Sequence, residues 1–269
     1  MDVETLQKRN KEIRRRIVEI LGEAHGGHYG GSLSCVEVLS ALYMNEMRID
    51  SKKPDWPDRD RFVLSKGHAC AAFCAVLAER GYFSGDLLQT FNKLDSPFGM
   101  HPDMHKIVGC DVSTGSLGHG LPIGVGMALA GRMDRKDYRV FVLLGDGECQ
   151  EGVIWEGMMA AAHYRLDNLV AIIDRNRVSM DGFTEEIMPL GDLRQKMEAF
   201  GWVAREVDGH NIEEILEAFQ ALPFVPGKPS GIIANTTKGK GVTFMENTAD
   251  WHYREASPEV TERALRELK

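Results

Sequence analysis

R-V-F-V-L-L-G-D-G-E (Arg139–Glu148), C-Q-E-G-V-I-W-E-G-M-M-A-A-A-H-Y-R-L (Cys149–Leu166) and D-N-L-V-A-I-I-D-R-N-R-V (Asp167–Val178) form one continuous stretch, and its reading decides the fold. Val140 to Leu144 is a short apolar run stopped by Gly-Asp-Gly, the pattern of a strand buried on both faces. Glu151 to Tyr164 carries Val153, Ile154, Gly157, Met158, Ala161 and Ala162 at helical spacing. Leu169 to Ile173 is a second buried-strand run, with Asn176 just past its end. Strand, crossover helix and strand imply two parallel neighbours joined by a right-handed connection. Asp146 and Asn176 then fall on one edge of the sheet, past the carboxyl ends of the strands, where open α/β sheets bind ligands.

The residue types at that edge suit a hard cation. Asp146 offers a carboxylate oxygen and Asn176 an amide oxygen, both suited to Mg²⁺ or Ca²⁺. Two protein oxygens leave an octahedral shell incomplete, and Mg²⁺ is commonly shared with phosphates, so a diphosphate is the natural missing partner. Gly145 and Gly147 let the backbone approach such an anion at a helix start. A lone G-D-G is more often merely a tight turn. The asparagine after the second strand is what favours a ligand site.

G-D-G-E followed roughly thirty residues later by an asparagine resembles the thiamine diphosphate motif, and G-D-G-E-C-Q-E-G-V-I-W-E resembles transketolase. The resemblance implies that Asp146 and Asn176 hold the metal through side chains and Val178 through its backbone carbonyl. It places Gly145, Gly147 and Glu148 in the cofactor-binding turn. It also matches Glu151 to a glutamate that meets its counterpart across the family's dimer, within the catalytic set. Asp174-Arg175-Asn176-Arg177 departs from the smaller or amide residues that more often surround this asparagine.

Composition sets outer bounds. A chain of 269 residues with 43% hydrophobic and 27% charged residues fits one large α/β domain, spanning 1–269, with a proper core. A net charge of −8 argues against general nucleic-acid or anionic-membrane binding. No apolar run approaches a membrane span, and M-D-V-E-T-L-Q-K-R-N lacks a secretion pattern. Five unpatterned cysteines suit a reducing cytoplasm, and Cys70 and Cys74, one helical turn apart, read as small buried residues.

Along the chain, Val3–Leu21 reads as an amphipathic helix, and A-H-G-G-H-Y-G-G-S-L-S as flexible backbone made for close approach. Ser34 and Glu37 form a capping-box pattern for a helix over Cys35–Met47. A strand at Arg61–Leu64 leads through S-K-G-H-A into a helix over Ala69–Arg80, which puts His68 at a helix N-terminus. Phe91–Ser113 reads as irregular, and S-T-G-S-L-G-H-G leads into a small-residue helix suited to a symmetry mate. Phe183–Leu190 reads as a loop, Leu193–Phe200 as a helix and Trp202–Val207 as a strand. Ile212–Leu222 reads as a helix capped by Asn211 and Glu214, Gly231–Thr236 as a strand, and Ser257-Pro258 as a helix start. The expected fold is doubly wound: a mostly parallel sheet with helices on both faces.

Four histidines, His28, His68, His101 and His252, fall on loops that such a sheet gathers at its carboxyl edge. Singly each is an ordinary polar histidine; together they make proton handling credible. The transketolase resemblance extends through G-H-Y-G-G-S-L-S, F-V-L-S-K-G-H-A, H-P-D-M, G-S-L-G-H-G and W-H-Y-R, in order along nearly the whole chain. It implies that the four histidines line the substrate channel, with His68 and His252 also touching the cofactor beside Gly115, Ser116 and Leu117. Departures at Tyr29, Met100, His119 and Tyr253 lie around the substrate and bear on the sugar.

The family's pyrimidine-binding domain, with its activating glutamate, finds no counterpart in the sequence, which therefore resembles the amino-terminal subunit of a split transketolase. The expected activity is transfer of a two-carbon ketol unit from a phosphorylated ketose to an aldose, using thiamine diphosphate with Mg²⁺ or Ca²⁺. The expected partner is a carboxy-terminal subunit, two copies of each chain forming the particle, in the cytoplasm. Alternatives are a subunit specialised for a modified sugar, or a component of 2-oxoacid dehydrogenase or deoxyxylulose phosphate synthase type. A non-catalytic partner subunit is the least favoured.

Overall fold

The computed structural model describes residues 1–269. Five strands, β1 (Arg61–Leu64), β2 (Val140–Gly145), β3 (Leu169–Arg175), β4 (Val203–Asp208) and β5 (Ser230–Asn235), form one sheet in the order β1-β2-β3-β5-β4. Every pairing is parallel. The apolar runs flanking the Gly-Asp-Gly turn are neighbours, as the strand–helix–strand pattern requires.

Ten helices flank the sheet: α1 (Val3–Glu23), α2 (Tyr29–Ser34), α3 (Val36–Ala41), α4 (Cys70–Arg80), α5 (Gly120–Met133), α6 (Gly152–His163), α7 (Thr184–Ile187), α8 (Leu193–Ala199), α9 (Ile212–Gln220) and α10 (Pro258–Glu267). Successive strand residues point to opposite faces, and this alternation divides the interior into two cores. Phe141, Leu143, Val170, Ile172 and Ile232 pack with α1 to α4, α9 and α10. Val140, Val142, Leu144, Ala171 and Ile173 pack with α5, α6 and α8. Both faces are thus covered, the arrangement expected of a parallel sheet. No helix is long and apolar enough to cross a membrane.

The structure corrects several local expectations. The glycine-rich segment after α1 is partly helix: α2 begins at Tyr29, and all six of its residues are buried. The proposed capping box at Ser34 and Glu37 does not form. Ser34 Oγ is drawn 2.6 Å from the buried Asp174 carboxylate, and Glu37 pairs with Arg14 at 2.6 Å. Buried charges need partners, and that demand outranks helix capping. The helix expected over Cys35–Met47 stops at Ala41 and continues as a wider turn closed by Met47 N donating to Leu42 O, 2.9 Å. The Phe183–Leu190 loop contains the single turn α7. Asn211 caps α9 as expected. Glu214 accepts from Asp208 N and from the Asn211 side chain, each at 2.9 Å, instead of from the Asn211 backbone N–H that a capping box uses. Ser257 caps α10 by accepting from Val260 N. Cys70 and Cys74 are buried, their sulfurs 3.7 Å apart.

Helix α5 shows how tightly one face is packed. A Cβ on Gly124 would lie 2.6 Å from Val142 Cγ2, whereas one on Gly126 would meet nothing within 4 Å. Gly124→Ala should lose about 1–3 kcal/mol in urea unfolding of the isolated chain through overpacking. Gly126→Ala, on the same helix, should gain up to about 1 kcal/mol from helix propensity. Equal effects would mean that α5 is not seated on β2 as described.

Candidate functional site

At the carboxyl edge of the sheet lies a cavity of about 250 Å³, lined by the ends of β2 and β3, by the loops after β1 and β5, and by the segment that precedes α10. Asp146 follows β2 directly. Its Oδ1 accepts from Gly147 N at 2.9 Å and its Oδ2 from Arg177 N at 2.5 Å, so the two strand ends are tied through one carboxylate. Burial, and then the neighbouring Asp174 charge, push the Asp146 carboxyl up to about 6. Asn176 donates from Nδ2 to Asp174 Oδ2 at 3.1 Å, and its Oδ1 accepts from Val178 N at 3.2 Å. A raised buried carboxyl, an amide oxygen and the Val178 carbonyl make an oxygen set of the kind a hard divalent cation takes. Neither Gly145 nor Gly147 is required by the protein's own packing, since an added Cβ would meet no atom closer than 3.7 Å. Their small size leaves the turn open to a ligand.

Two buried lysines, which the sequence reading passed over, complete the floor. Lys66 pairs with Asp174 and donates to Gly31 O at 2.9 Å. Burial pushes the Asp174 carboxyl up, but the Lys66 ammonium and the hydroxyls of Ser34 and Thr236 outweigh it and hold it below the usual carboxylate value. Lys238 donates to Val178 O at 2.5 Å, to Ser179 O at 3.2 Å and to His252 Nδ1 at 2.9 Å. Burial and the nearby Lys66 charge lower it to about 8. Both lysines sit in short glycine-flanked loops at strand ends, S-K-G-H and T-K-G-K-G, which was the available signal.

The four loop histidines converge. His28 lies 5.2 Å from His68, 6.1 Å from His101 and 5.5 Å from His252, centroid to centroid; His68 and His252 are 5.2 Å apart. Tyr253 stands edge-on to His28 at 4.9 Å and is half exposed. Because Lys238 donates to Nδ1 of His252, the neutral ring carries its proton on Nε2. His28 Nδ1 is buried without a partner, a polar atom left for a ligand hydroxyl or water.

The other expected residues divide by position. His68, Leu117, Gly145, Asp146, Gly147, Glu148, Glu151, Asn176, Val178 and His252 line the cavity. Gly115 backs onto the His101 ring, which an added Cβ would approach to 3.4 Å, while Ser116 faces His119 at the surface. Glu148 is committed to protein donors: Ser65 Oγ, Gly118 N at 2.8 Å and Gly145 N at 3.0 Å. It therefore braces the loop over Thr114–Gly118 against the two strand ends. Glu151 is exposed and immediately precedes α6.

Burial lowers all four imidazoles: His28 to about 4 and His252 to about 3, with Lys238 also opposing their charge, and His68 and His101 below their ordinary value. The ring protons of His28 and His252 should hold neutral-form chemical shifts by NMR down to about pH 5. The unfolded chain takes up protons below about 6.5 that the folded rings refuse, so these histidines cost nothing above that pH. Urea midpoints should fall as pH drops from 6.5 toward 4. Flat midpoints, or rings titrating near 6.5, would contradict the clustered arrangement.

With this geometry in place, likeness to known proteins is extensive. The family described as "Transketolase, thiamine diphosphate binding domain" matches residues 6–263. The chain is 46% identical to an apulose-4-phosphate transketolase subunit of Phocaeicola vulgatus, over 100% of this chain and 95% of that one. It is likewise 46% identical to the 6-deoxy-6-sulfo-D-fructose transketolase subunit SqwG of a Clostridium species, covering 98% and 96%. Transketolase from Campylobacter jejuni superposes with a TM-score of 0.92 at 30% identity, over all of this chain and 43% of that one. The Pichia stipitis enzyme, solved with sedoheptulose 7-phosphate, gives 0.91 at 33% identity, and the chain covers 40% of it. The chain thus spans less than half the length of these solved transketolases.

Proposed function

This chain belongs to the transketolase family through its thiamine diphosphate binding domain, and we propose from that premise that it is the amino-terminal subunit of a two-chain transketolase. The observation that carries the reading is the convergence of Asp146, Asn176, two buried lysines and four histidines on one sheet edge. The activity is transfer of a two-carbon ketol unit from a ketose to an aldose. When bound, thiamine diphosphate supplies the carbon centre that carries this unit.

The residues of this chain supply binding and proton handling. Asp146, Asn176 and the Val178 carbonyl are the proposed holders of Mg²⁺ or Ca²⁺. Gly145 and Gly147 admit the diphosphate, and Lys66 and Lys238 offset its charge. Leu117, with Gly115 and Ser116 on the same loop, flanks the ring system. His28, His68, His101 and His252 are neutral near pH 7, so each can accept a proton from a sugar hydroxyl or share its own. The sugar is a phosphorylated or otherwise modified ketose. Relatives named for apulose 4-phosphate and a sulfonated fructose favour a specialised sugar over a common one, and Tyr253 at the histidine cluster is positioned to read the difference. Ketol-transfer relatives leave little support for the 2-oxoacid dehydrogenase and deoxyxylulose phosphate synthase alternatives.

The remaining domain is proposed to reside on a partner polypeptide, consistent with relatives of this same length being named as subunits. Two copies of each chain form the proposed particle. Ile123 and Met133 on α5 and Met159 on α6 are exposed apolar contacts for such an assembly, and the exposed Glu151 at the start of α6 is a further, charged one. Five thiols without a pairing pattern suit the cytoplasm.

Asp146→Ala removes the one charged metal ligand. Calorimetry with Mg²⁺ should show thiamine diphosphate affinity of the two-chain complex reduced by more than about tenfold, with circular dichroism unchanged. Unaltered affinity would sink the metal assignment. The purified chain alone should give no ketol transfer, and activity should appear on adding the partner polypeptide. A fully active isolated chain would end the two-chain reading.

A further inference from the structure

Asp174 touches no part of the open cavity, yet four side chains converge on it. Its Oδ2 accepts from Ser34 Oγ at 2.6 Å, from Asn176 Nδ2 at 3.1 Å and from Lys66 Nζ, and its Oδ1 accepts from Thr236 Oγ1. These groups arrive from α2, from the end of β3, from the loop after β1 and from the loop after β5. The carboxylate is wholly buried.

We propose that Asp174 is the positioning residue of the metal–diphosphate site, fixing which end of the Asn176 amide is offered to a cation. A carboxylate accepts and never donates, so only the NH₂ end of Asn176 can face it. The Oδ1 end is thereby left for Val178 N and the metal. An asparagine at position 174 presents both a donor and an acceptor, and the Val178 N–H alone is then left to select the orientation of the Asn176 amide. The same carboxylate anchors Lys66, so amide oxygen and ammonium are set by one group. This rests on the metal and cofactor assignment proposed above, and it concerns how that site is held in register.

Serving as a counterion to Lys66 is the competing role, and a double-mutant cycle separates the two. The measurement is Mn²⁺ affinity of the two-chain complex by electron paramagnetic resonance, at saturating thiamine diphosphate. Asp174→Asn should weaken Mn²⁺ binding by about tenfold to a hundredfold, the usual cost of losing a group that orients a metal ligand. Ser34→Ala, which removes a different bond to the same carboxylate, should leave Mn²⁺ affinity unchanged. Lys66→Met should lower cofactor affinity by itself and serves as the reference for the charge-neutral Lys66→Met/Asp174→Asn variant. That double variant should bind Mn²⁺ about tenfold more weakly than Lys66→Met. This comparison stands even where Asp174→Asn alone folds poorly, because the double variant leaves no Lys66 ammonium without its carboxylate, and in Lys66→Met the Asp174 carboxylate keeps its bonds from Ser34, Asn176 and Thr236. Equal Mn²⁺ affinity of Lys66→Met and the double variant would overturn the proposal and leave Asp174 as a counterion. Failure of the unsubstituted two-chain complex to bind Mn²⁺ with thiamine diphosphate would instead overturn the functional reading on which it depends.

Discussion

The site depends on the register in which three parallel strands end. Leu143, Ile172 and Ile232 lie in one row, Leu144, Ile173 and Ile233 in the next, and Gly145, Asp174 and Ala234 in the one after. The first row faces the core under α1 to α4 and the second faces α5, α6 and α8. Asp174 therefore shares its face with Ile172 and meets Ser34 and Lys66. A slip of β3 by one residue would send every side chain to the opposite face. Asp174 would then enter the apolar core around Ile154 and Met158, and Lys66 would remain buried without a partner. Breaking a buried pair in this way costs roughly 3–5 kcal/mol, so chemistry and packing enforce the same register.

The same constraint explains what was legible in the sequence. Continuous apolar runs ending in Gly-Asp-Gly and in Asp-Arg-Asn mark strands that must be covered on both sides, and that pattern survives without any tertiary information. Once the strands are parallel, ligand residues at their ends and histidines on the following loops must share an edge. Lys66 and Lys238 were not legible in this way. A lysine in a loop is ordinarily solvated, and its burial arises only when loops from distant parts of the chain close over it. Ser34 and Glu37 misled for a related reason. Their spacing fits a helix cap, but the charged Asp174 and Arg14 offer stronger partners that lie far away in sequence, and the His210 ring joins Glu37 as well.

Charge accounts for the remaining design of the edge. Two ammonium groups, Lys66 and Lys238, face two carboxylates, Asp146 and Asp174, within one poorly solvated region. The histidines around it stay neutral because burial and the lysines both oppose further positive charge. On the proposed assignment, a diphosphate entering alone would gain the lysines but meet the Asp146 carboxylate. A divalent cation entering alone would gain Asp146 but meet Lys238 on the Val178 carbonyl that it needs. Each ligand removes the other's obstacle: the cation screens Asp146 from the diphosphate, and the diphosphate gives Lys238 a better partner than a carbonyl. The two affinities are then coupled, and equally so in both directions, because linkage is reciprocal. On that assignment a metal and a diphosphate would bind together, with the neutral imidazoles beside them.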